Sequence, residues 1–262
     1  MSKEVLEIVS YNLNGIRSAV SKGLADWIKE TGFDVYLFQE IKADLYSIPV
    51  EYFDELGYKH LWFPAQKKGY SGVGVLYKNT IDVNQIKQGI AIPKYDFEGR
   101  VIQFNIKDIT FLNTYFPSGS SGDERQAVKM EFLNDYFDYI HQLKNTNPKI
   151  ILSGDYNICH TEIDIHDPKG NKNSSGFLPE ERAWMTKFFD SGFIDTFRFI
   201  NKDLKDQYSW WSYRAGARAK NKGWRIDYQS CTENMQEQIL DAKILMDVKH
   251  SDHCPIYLKI KI

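Results

Sequence analysis

Residues 6–38 decide the fold class, and they read LEIVSYNLNGIRSAVSKGLADWIKETGFDVYLF. Residues 6–11 form an apolar run of strand length, and residues 35–38 form another. Between the two runs lies a stripe of apolar residues at a spacing of four, which predicts one helix ending at Gly32. The stripe consists of Ile16, Val20, Leu24 and Ile28. A strand, a helix and a second strand within about thirty residues are typical of α/β proteins.

Further segments of strand and helix type follow along the chain. The apolar pattern predicts a β-rich stretch over residues 72–115 with a hairpin turn at Lys107 and Asp108, and helices over residues 124–144 and 179–190. Further strands are predicted over residues 149–153, 225–230 and 255–260. Because no low-complexity linker divides the chain, we predict that residues 1–262 form a single catalytic domain.

Two segments resemble each other. Residues 8–12 (IVSYN) and residues 151–155 (ILSGD) each run from an apolar strand into an amide or a carboxylate. This repetition predicts two similar halves that face one another.

Composition describes an ordinary globular protein. The 33 basic and 35 acidic residues give a formal charge of −2, and 42% of the residues are hydrophobic. With 26% charged and 15% aromatic residues, a disordered chain is excluded. The neutral balance also argues against a protein that holds nucleic acid by positive charge spread over the whole domain.

Cysteine usage and the first residues indicate the compartment. Cys159, Cys231 and Cys254 are odd in number and lack the C-x-x-C spacing, so neither a disulfide framework nor a zinc site is predicted. The first residues include an acid and no long apolar run, and no segment approaches the ~20 apolar residues that span a bilayer. We therefore expect a cytoplasmic protein with no membrane partner.

Polar side chains follow several of the predicted strands. They are Asn12 and Asn14, Glu40, and Asp155 and Asn157, while the pair Asp252 and His253 precedes the last predicted strand. Taken singly, each could form a turn or cap a helix. In α/β sheets, however, ligands gather where strands end, and carboxylates with amides make an oxygen-rich site suited to Mg²⁺ or Mn²⁺. Such a site suits phosphate chemistry.

A second feature concerns one of the six histidines. Asp227 lies on a predicted strand with Ile226 on the opposite face, and a buried aspartate needs a partner. His253 is the candidate. A carboxylate at one imidazole nitrogen fixes the tautomer and favours the imidazolium, which can hold a phosphate oxygen.

Six strings now carry a resemblance to a known family. They are YNLNGIR (11–17), LFQEIK (37–42), NTYFP (113–117), SGDYN (153–157), GWRIDY (223–228) and SDHCP (251–255). In this order and at similar spacings, they resemble the exonuclease III family of bacterial-type abasic-site endonucleases, within the endonuclease/exonuclease/phosphatase superfamily. The resemblance spans residues 5–260. The segment SGFLPEER (175–182) is also similar to this nuclease branch.

The resemblance implies a four-layer α/β sandwich, in which two packed sheets are flanked by helices and the active site lies at the top of the sheets. It implies that Glu40 is the principal metal ligand and that Asn12 lies nearby. Asp155 would activate water or protonate the leaving group, and Asn157 would donate to the developing phosphorane.

The resemblance implies further roles for the remaining residues. His253 would bind the scissile phosphate, oriented by Asp227, and Tyr115 would contact the phosphate or the leaving oxygen. Asp252 would belong to the same metal-proximal cluster. The full predicted set of metal-site residues is Asn12, Glu40, Asp155, Asn157, Asp252 and His253. Asn14 departs from the family pattern, since some relatives have Asp there, and this removes one negative charge near the metal.

The stretch from residue 210 to residue 225 is rich in arginine, lysine and tryptophan. It holds Arg214, Arg218, Lys220, Lys222 and Arg225 with no acid. A run of charge is usually a solvated face, but cations interleaved with aromatic rings also suit a DNA-facing loop. With the resemblance, Trp210 and Trp224 are expected to line an abasic-sugar pocket. Lys42, Arg214 and Arg218 are expected to contact DNA phosphates.

The function implied is a Mg²⁺-dependent hydrolase of DNA phosphodiesters, active as a monomer on duplex DNA. It would incise the strand 5′ to an abasic site, leave a 3′-hydroxyl, and also remove blocked 3′ ends and act as a 3′→5′ exonuclease. Two alternatives remain: a phosphomonoesterase or phospholipase of the same superfamily, and a DNA-damage-binding protein without catalysis.

Overall fold

The computed structural model describes residues 4–262, in which twelve strands and eight α-helices occur. The strands are β1 Val5–Asn12, β2 Val35–Gln39, β3 Tyr58–Phe63, β4 Val73–Lys78, β5 Asn84–Gln88, β6 Val101–Ile106, β7 Ile109–Tyr115, β8 Ile150–Asp155, β9 Phe193–Asp195, β10 Asp227–Thr232, β11 Ile239–Ile244 and β12 Ile256–Lys261. The helices are α1 Ile16–Ser21, α2 Leu24–Thr31, α3 Glu51–Glu55, α4 Pro93–Asp96, α5 Asp123–Thr146, α6 Pro168–Asn171, α7 Pro179–Asp190 and α8 Thr196–Ile200.

The strands form two mixed sheets of six. The first has the order β11-β12-β1-β2-β4-β3, and the second, read from its other edge, has the order β9-β10-β8-β7-β6-β5. Each has one parallel pair at its centre, β1 with β2 and β7 with β8, and every other pairing is antiparallel. The two sheets therefore share one pattern of parallel and antiparallel pairing, which agrees with the two similar, facing halves predicted from the sequence.

Alternation along the central strands builds the layer between the sheets. On β1, Leu6 and Ile8 pack in the inter-sheet core, whereas Val9 packs on the opposite face. On β8, Ile151 faces the inter-sheet core and Leu152 faces the helices. Because successive side chains on a strand point to opposite faces, each central strand supplies two separate cores.

Helices cover both outer faces. Apolar residues of α1, α2 and α3 pack on the first sheet, and those of α5 and α7 pack on the second. On α5 the core-facing residues are Phe132, Leu133, Tyr136 and Ile140. The order helix, sheet, sheet, helix confirms the predicted four-layer α/β sandwich. No helix within residues 4–262 combines the length and the apolar character needed to cross a membrane.

One predicted helix is two in the structure. The stripe from Ile16 to Ile28 predicted a single helix, but α1 ends at Ser21 and α2 begins at Leu24. Gly23 between them has a φ of 94°, a left-handed conformation that ends a helix and that glycine adopts without strain. The prediction of one helix is therefore wrong, although Ile16, Leu24 and Ile28 are all buried as the stripe required.

Other boundaries agree or shift by a few residues. The hairpin at Lys107 and Asp108 is confirmed, since Ile106 pairs with Ile109. Helix α7 spans the predicted residues 179–190. Strand β8 extends to Asp155, and β10 begins only at Asp227. Both aspartates therefore stand on the rigid sheet rather than on the loops beside it.

A buried polar layer ties the two sheets together below these strand ends. The Gln39 amide donates to Ser10 Oγ at 3.0 Å in its own sheet and to Asn113 Oδ1 at 2.7 Å in the other sheet. On the other side, Ser153 Oγ donates to Gln229 Oε1 at 3.1 Å, and the Gln229 amide donates to the Ile8 carbonyl at 3.3 Å. These directional contacts fix how one sheet sits on the other.

Candidate active site

The strand register brings five of the predicted residues to one edge of the sandwich. Tyr115 pairs with Asp155 across β7 and β8, and Asp155 pairs with Asp227 across β8 and β10. Asn12 ends β1 in the facing sheet, and Glu40 follows β2 directly. The pseudo-symmetric central pairs thus place their polar ends opposite each other.

Asn12 links the two sheets at this edge. Its Nδ2 donates to Glu40 Oε1 at 2.9 Å and to Asp155 Oδ2 at 2.9 Å. One amide thus separates two carboxylates that would otherwise repel each other. Glu40 itself has a φ of 49°, a strained conformation for a residue with a side chain, of a kind that clusters at functional sites.

The Asp155 carboxyl is held by Asn157 as well. The Asn157 backbone N–H donates to Asp155 Oδ1 at 2.8 Å, and its side-chain amide donates to Oδ2 at 3.2 Å. Burial raises the pKa of Asp155 to about 8, with added repulsion from Asp227 and Glu40 and an opposing effect of His253. A carboxyl with such a pKa can give or take a proton near neutral pH.

His253 and Asp227 form the predicted pair. His253 Nδ1 lies 2.8 Å from Asp227 Oδ2, and Nε2 lies 3.9 Å from Asp155 Oδ2. Burial by itself would lower the pKa of His253, but the Asp227 carboxylate and its hydrogen bond raise it to about 10. The imidazolium is therefore the favoured form, and Nε2 points its proton toward Asp155.

Tyr115 lies beside the same carboxylates. Burial raises the pKa of its phenol well above the usual value, and the charges of Glu40 and Asp155 raise it further. Its backbone carbonyl accepts from the buried Arg100 guanidinium at 2.8 Å. The hydroxyl is therefore a neutral hydrogen-bond donor rather than a phenolate.

Two tryptophans, Trp210 and Trp224, line a cavity over the site. Trp210 and Trp224 meet edge to face, with ring centroids 6.0 Å apart, and Trp210 Nε1 donates to Asp252 Oδ2 at 3.1 Å. A cavity of about 330 Å³ opens between these rings and the carboxylates. It is lined by Glu40, Tyr115, Ser118, Ser120, Asp155, Asn157, Ser175, Gly176, Trp210, Trp224, Ile226, Asp252 and His253.

Three groups fit a metal ion by distance. Ligand atoms of Glu40, Asp155 and His253 all lie within 4.8 Å of one another, and no other cluster of this kind occurs within residues 4–262. The carboxylates suit a hard cation. A protonated His253 has no free lone pair, however, because Nδ1 is bonded to Asp227 and Nε2 carries the other proton. The oxygen donors are therefore the part of the cluster that fits the ion.

Asp252 lies outside that cluster, although it was predicted as a metal-site residue. Its Oδ1 accepts from Asn14 Nδ2 at 3.0 Å and from Ser251 Oγ at 3.1 Å, and its Oδ2 accepts from Trp210. Burial opposes the charged form, but the His253 cation lowers the pKa of Asp252 below its usual value. Because both oxygens already accept hydrogen bonds, the geometry favours an anchoring role over direct ligation.

Lys42 reaches the site from the loop after β2. Its Nζ lies 2.7 Å from Glu40 Oε2 and 2.5 Å from Asn14 Oδ1. Burial would raise the pKa of Glu40, but the Lys42 ammonium lowers it below its usual value. Lys42 thus keeps the predicted metal ligand ionised, while about a third of its side chain stays open to solvent.

The basic stretch divides into exposed and buried residues. Arg214 is exposed, as a DNA contact requires. Arg218 instead donates to the carbonyls of Ser251 at 2.9 Å and Val248 at 2.5 Å, and stacks on the Trp211 ring. The prediction that Arg218 contacts a DNA phosphate is corrected, since its guanidinium is bound to the protein's own backbone.

Arg225 is a second correction to the predicted basic surface. Its side chain is buried and pairs with Asp164 at 2.8 Å and with Asp195 at 2.7 Å. The Arg225 backbone N–H also donates to the Asp164 carbonyl, next to Trp224. This arginine stabilises the wall that carries Trp224, and it offers no charge to a ligand.

The chain is similar to known proteins over most of its length. Residues 9–234 match the model of the Endonuclease/Exonuclease/phosphatase family. The chain belongs to this family. The resemblance to its exonuclease III branch is confirmed by an exodeoxyribonuclease of Bacillus subtilis, 40% identical over 258 residues that cover 98% of this chain and 100% of the relative.

Two further members extend the likeness. A DNA-(apurinic or apyrimidinic site) endonuclease of Dictyostelium discoideum is 37% identical over 96% of this chain and 69% of its own length. The structure of an AP endonuclease from Archaeoglobus fulgidus superposes with a TM-score of 0.88 at 27% identity, covering 98% of this chain and 100% of that one. The family match together with the nuclease relatives makes the chain a phosphodiesterase of the nuclease type.

Several residues at the site had no sequence signal of their own. Ser118, Ser120, Ser175 and Gly176 line the cavity, and Lys129 and Glu181 lie buried behind it. A lysine and a glutamate on amphipathic helices are usually solvated, so charge alone could not place this pair inside. The segment 175–182, recognised only by its resemblance, is the part of the sequence that pointed toward it.

Proposed function

We propose that this protein is a DNA repair nuclease that hydrolyses the phosphodiester 5′ to an abasic site in duplex DNA and leaves a 3′-hydroxyl. The same centre would act as a 3′→5′ exonuclease and would remove blocked 3′ ends. The observation that carries the proposal is the His253–Asp227 ion pair facing Asp155 and Glu40 beneath two tryptophans. A phosphate oxygen, a water and a cation need such a set of groups together.

Each residue takes a role that its contacts suit. The His253 imidazolium donates to a non-bridging phosphate oxygen, and Asp227 holds it charged. The Asn157 amide donates to the charge that develops on the phosphoryl oxygens, and Tyr115 donates from its neutral hydroxyl. Asp155 handles the proton, either taken from the attacking water or given to the leaving 3′ oxygen, and its pKa of about 8 suits that transfer.

Mg²⁺, or Mn²⁺ in its place, is the proposed cofactor. Glu40 would be its principal ligand, with Asp155 and the side-chain amides of Asn12 and Asn157 nearby. When bound, the ion would neutralise charge on the phosphate oxygens. Lys42 and Asn12 hold the Glu40 carboxylate ionised and oriented for that purpose.

The pocket supports the substrate. A cavity of about 330 Å³ with two aromatic walls has room for a sugar that lacks its base. The exposed Arg214 would contact a phosphate of the DNA backbone, and Lys42 a second one. Residues 1–262 would act as one catalytic domain, as a monomer in the cytoplasm.

The proposal is tested with two labelled duplexes, one abasic and one intact, incubated with Mg²⁺, with Mn²⁺ or with chelator and resolved by product length. Incision 5′ to the abasic site only with metal is the expected result. Glu40→Gln and Asp155→Asn should each lower kcat by orders of magnitude while the fold survives. Wild-type rates in either variant would refute the assigned role.

The same incubations, run also with inositol phosphates and sphingomyelin as substrates, separate the alternatives. A phosphomonoesterase or phospholipase would turn over inositol phosphates or sphingomyelin and ignore the abasic duplex. A damage-binding protein without catalysis would shift the abasic duplex on a gel and release no product with either metal.

A further inference from the structure

A buried ion pair lies directly behind the active-site cavity. Lys129 of α5 and Glu181 of α7 approach to 2.5 Å between Nζ and Oε1, and neither side chain has any exposed surface. The two helices belong to the outer layer of the second sheet, where the neighbouring residues form an aromatic core. A charged pair is an unusual occupant of such a position.

The lysine end of the pair holds the segment that carries Asn157. Lys129 Nζ donates to the Asn157 carbonyl at 2.8 Å. Asn157 has a φ of 55°, so its main chain is strained and needs outside contacts to persist. From that main chain the side-chain amide reaches the Phe116 carbonyl at 3.0 Å and Asp155 at 3.2 Å.

The glutamate end of the pair holds the segment with Gly176 and Leu178, across the cavity from Asn157. Glu181 Oε2 accepts from the backbone N–H groups of Gly176 at 2.6 Å and Leu178 at 3.0 Å. Gly176 lines the cavity, and a side chain there would lie 3.0 Å from the Trp224 ring. The segments that carry Asn157 and Gly176 also contact each other, since the Cys159 N–H donates to the Gly176 carbonyl at 2.7 Å.

Stability alone does not explain charged groups at this place. Ordering two charges in a protein interior costs desolvation free energy, and apolar residues of similar volume often stabilise a fold as well or better. Here Lys129 donates to the Asn157 carbonyl on one side of the cavity, and Glu181 accepts from the Gly176 N–H on the other. Each charge therefore binds a segment that forms the site. Neither residue lines the cavity.

We propose that Lys129 and Glu181 are positioning residues, which together set the Asn157 amide and the Gly176 wall at the spacing that the transition state requires. This inference rests on the proposed nuclease function. Gln126 extends the device, because its amide donates to Glu181 at 3.0 Å and its oxygen accepts from Ser175, another lining residue, at 2.8 Å.

The first test is a double-mutant cycle between Lys129→Met and Asn157→Ala, measured as kcat and KM on the abasic duplex. Lys129→Met should lower kcat by about tenfold or more and change KM less, in the range found for supporting contacts of active-site groups. In the Asn157→Ala background the same substitution should add little. Full additivity of the two losses would overturn the proposal.

A second variant separates positioning from folding. Lys129→Met with Glu181→Gln removes both charges and leaves an amide oxygen for the N–H groups of Gly176 and Leu178. We expect urea midpoints above those of either single variant, while kcat stays low because the Asn157 carbonyl still lacks its donor. Recovery of kcat together with stability would show that the pair is only structural.

A matched control is available at an ion pair between α4 and α5. Lys94 and Glu131, which lies on α5, form an exposed ion pair with a 2.5 Å separation. Lys94→Met removes one partner of a pair of the same chemistry and should leave kcat unchanged. A loss of kcat as large as that of Lys129→Met would mean that any charge change on this face has the same effect, against the proposal.

Amide hydrogen exchange gives a readout that does not need turnover. Glu181→Ala should speed exchange at Gly176 and Leu178, and Lys129→Met should shift the Asn157 side-chain amide resonances. Unchanged spectra would overturn the inference even in an active enzyme. Absence of incision by the wild-type protein would instead refute the proposed function, with these spectral effects still present.

Discussion

Asn12 Nδ2 lies 2.9 Å from Glu40 Oε1 and 2.9 Å from Asp155 Oδ2, so one amide joins the proposed metal ligand in the first sheet to the proposed acid–base group in the second. It is also held from its other end, since Asn12 Oδ1 accepts from the Asn14 N–H at 3.0 Å. The relative position of the two carboxylates therefore depends on this side chain.

Asn12→Ala should lower kcat by about 10–100-fold, the range seen when a group supporting a metal ligand is removed. Both carboxylates lose a hydrogen-bond donor, so the Mg²⁺ concentration needed for half-maximal rate should also rise. The measurement is the initial rate of incision over a titration of Mg²⁺. Asn105→Ala, on β6 with its amide bonded to Gln85, is the control and should keep the wild-type rate.

In Asp227→Asn, the loss of activity at alkaline pH should begin at a lower pH than in the wild type. The pKa of His253 is raised to about 10 in the folded protein, so the imidazolium is present at all lower pH values and is lost as pH rises toward 10. Without the Asp227 charge, burial lowers that pKa, and the alkaline limb of the pH–rate profile should move down by at least about one pH unit.

The same pair affects stability with a definite sign. Because the folded pKa of His253 exceeds the unfolded value of about 6.5, its stabilisation is complete below that pH and is lost as pH rises through about 10. Urea denaturation with chelator should show the wild-type advantage over Asp227→Asn shrinking between pH 7 and pH 10. A constant difference across that range would contradict the assigned pKa.

Arg214→Ala and Arg218→Ala should behave differently. Arg214 is exposed, so its removal should raise KM and reduce the slope of log KM against log salt by about one charge. Arg218 donates to four carbonyls between residues 246 and 253, so its removal should lower kcat and the urea midpoint and leave the salt slope unchanged. Equal salt slopes in the two variants would contradict this division.

Asn14→Asp should strengthen divalent-metal binding. Asn14 Nδ2 donates to Asp252 at 3.0 Å and its oxygen accepts from Lys42. A carboxylate here faces Asp252 without a donated hydrogen bond, and the added negative charge favours a cation nearby. The Mg²⁺ concentration for half-maximal rate should fall severalfold. Ser18→Asp, on the exposed face of α1, adds the same charge away from Asp252 and should change it less.

Asp164→Asn should destabilise the fold by roughly 3–5 kcal/mol at neutral pH, because it removes a buried partner of Arg225. Burial opposes the charged form, but Arg225 and Arg198 lower the pKa of Asp164 well below its usual range. Its stabilisation is therefore present above the unfolded pKa of about 3.9 and is lost as pH falls through the folded value.

Urea denaturation at pH 7 and at pH 3 checks this sign. The difference between wild type and Asp164→Asn should be smaller at pH 3. Asp203→Asn, at an exposed position, is the control and should match the wild type at both pH values. An equal difference for Asp164→Asn at the two pH values would contradict the lowered pKa.

The sequence predicted the fold class and the pairing of Asp227 with His253 because both depend on local rules. Alternation along a strand decides which face of the sheet each side chain points to, and a buried aspartate requires a hydrogen-bonding or charged partner. It did not predict the break at Gly23, since glycine interrupts a helix only where neighbouring packing lets the chain turn.

The basic stretch shows the other limit of sequence reasoning. Arg214, Arg218 and Arg225 are the same residue type within twelve positions, yet one is exposed, one binds carbonyls and one is buried against two aspartates. Asp164 and Asp195 are distant in sequence, so only the tertiary structure shows which arginine they neutralise. The residue type identifies the charge, but whether each side chain is exposed or buried depends on partners that are distant in sequence.

The pairing of β1 with β12 has a consequence for protein synthesis. Val5 on β1 pairs with Lys261 on β12, and His253 precedes β12 by only a short turn. A ribosome therefore releases the first strand of the sheet long before the strand that covers its edge. The nascent chain cannot complete this sheet or place His253, the proposed phosphate-binding group, until residues 253–261 emerge, so a chain truncated before His253 should show no incision.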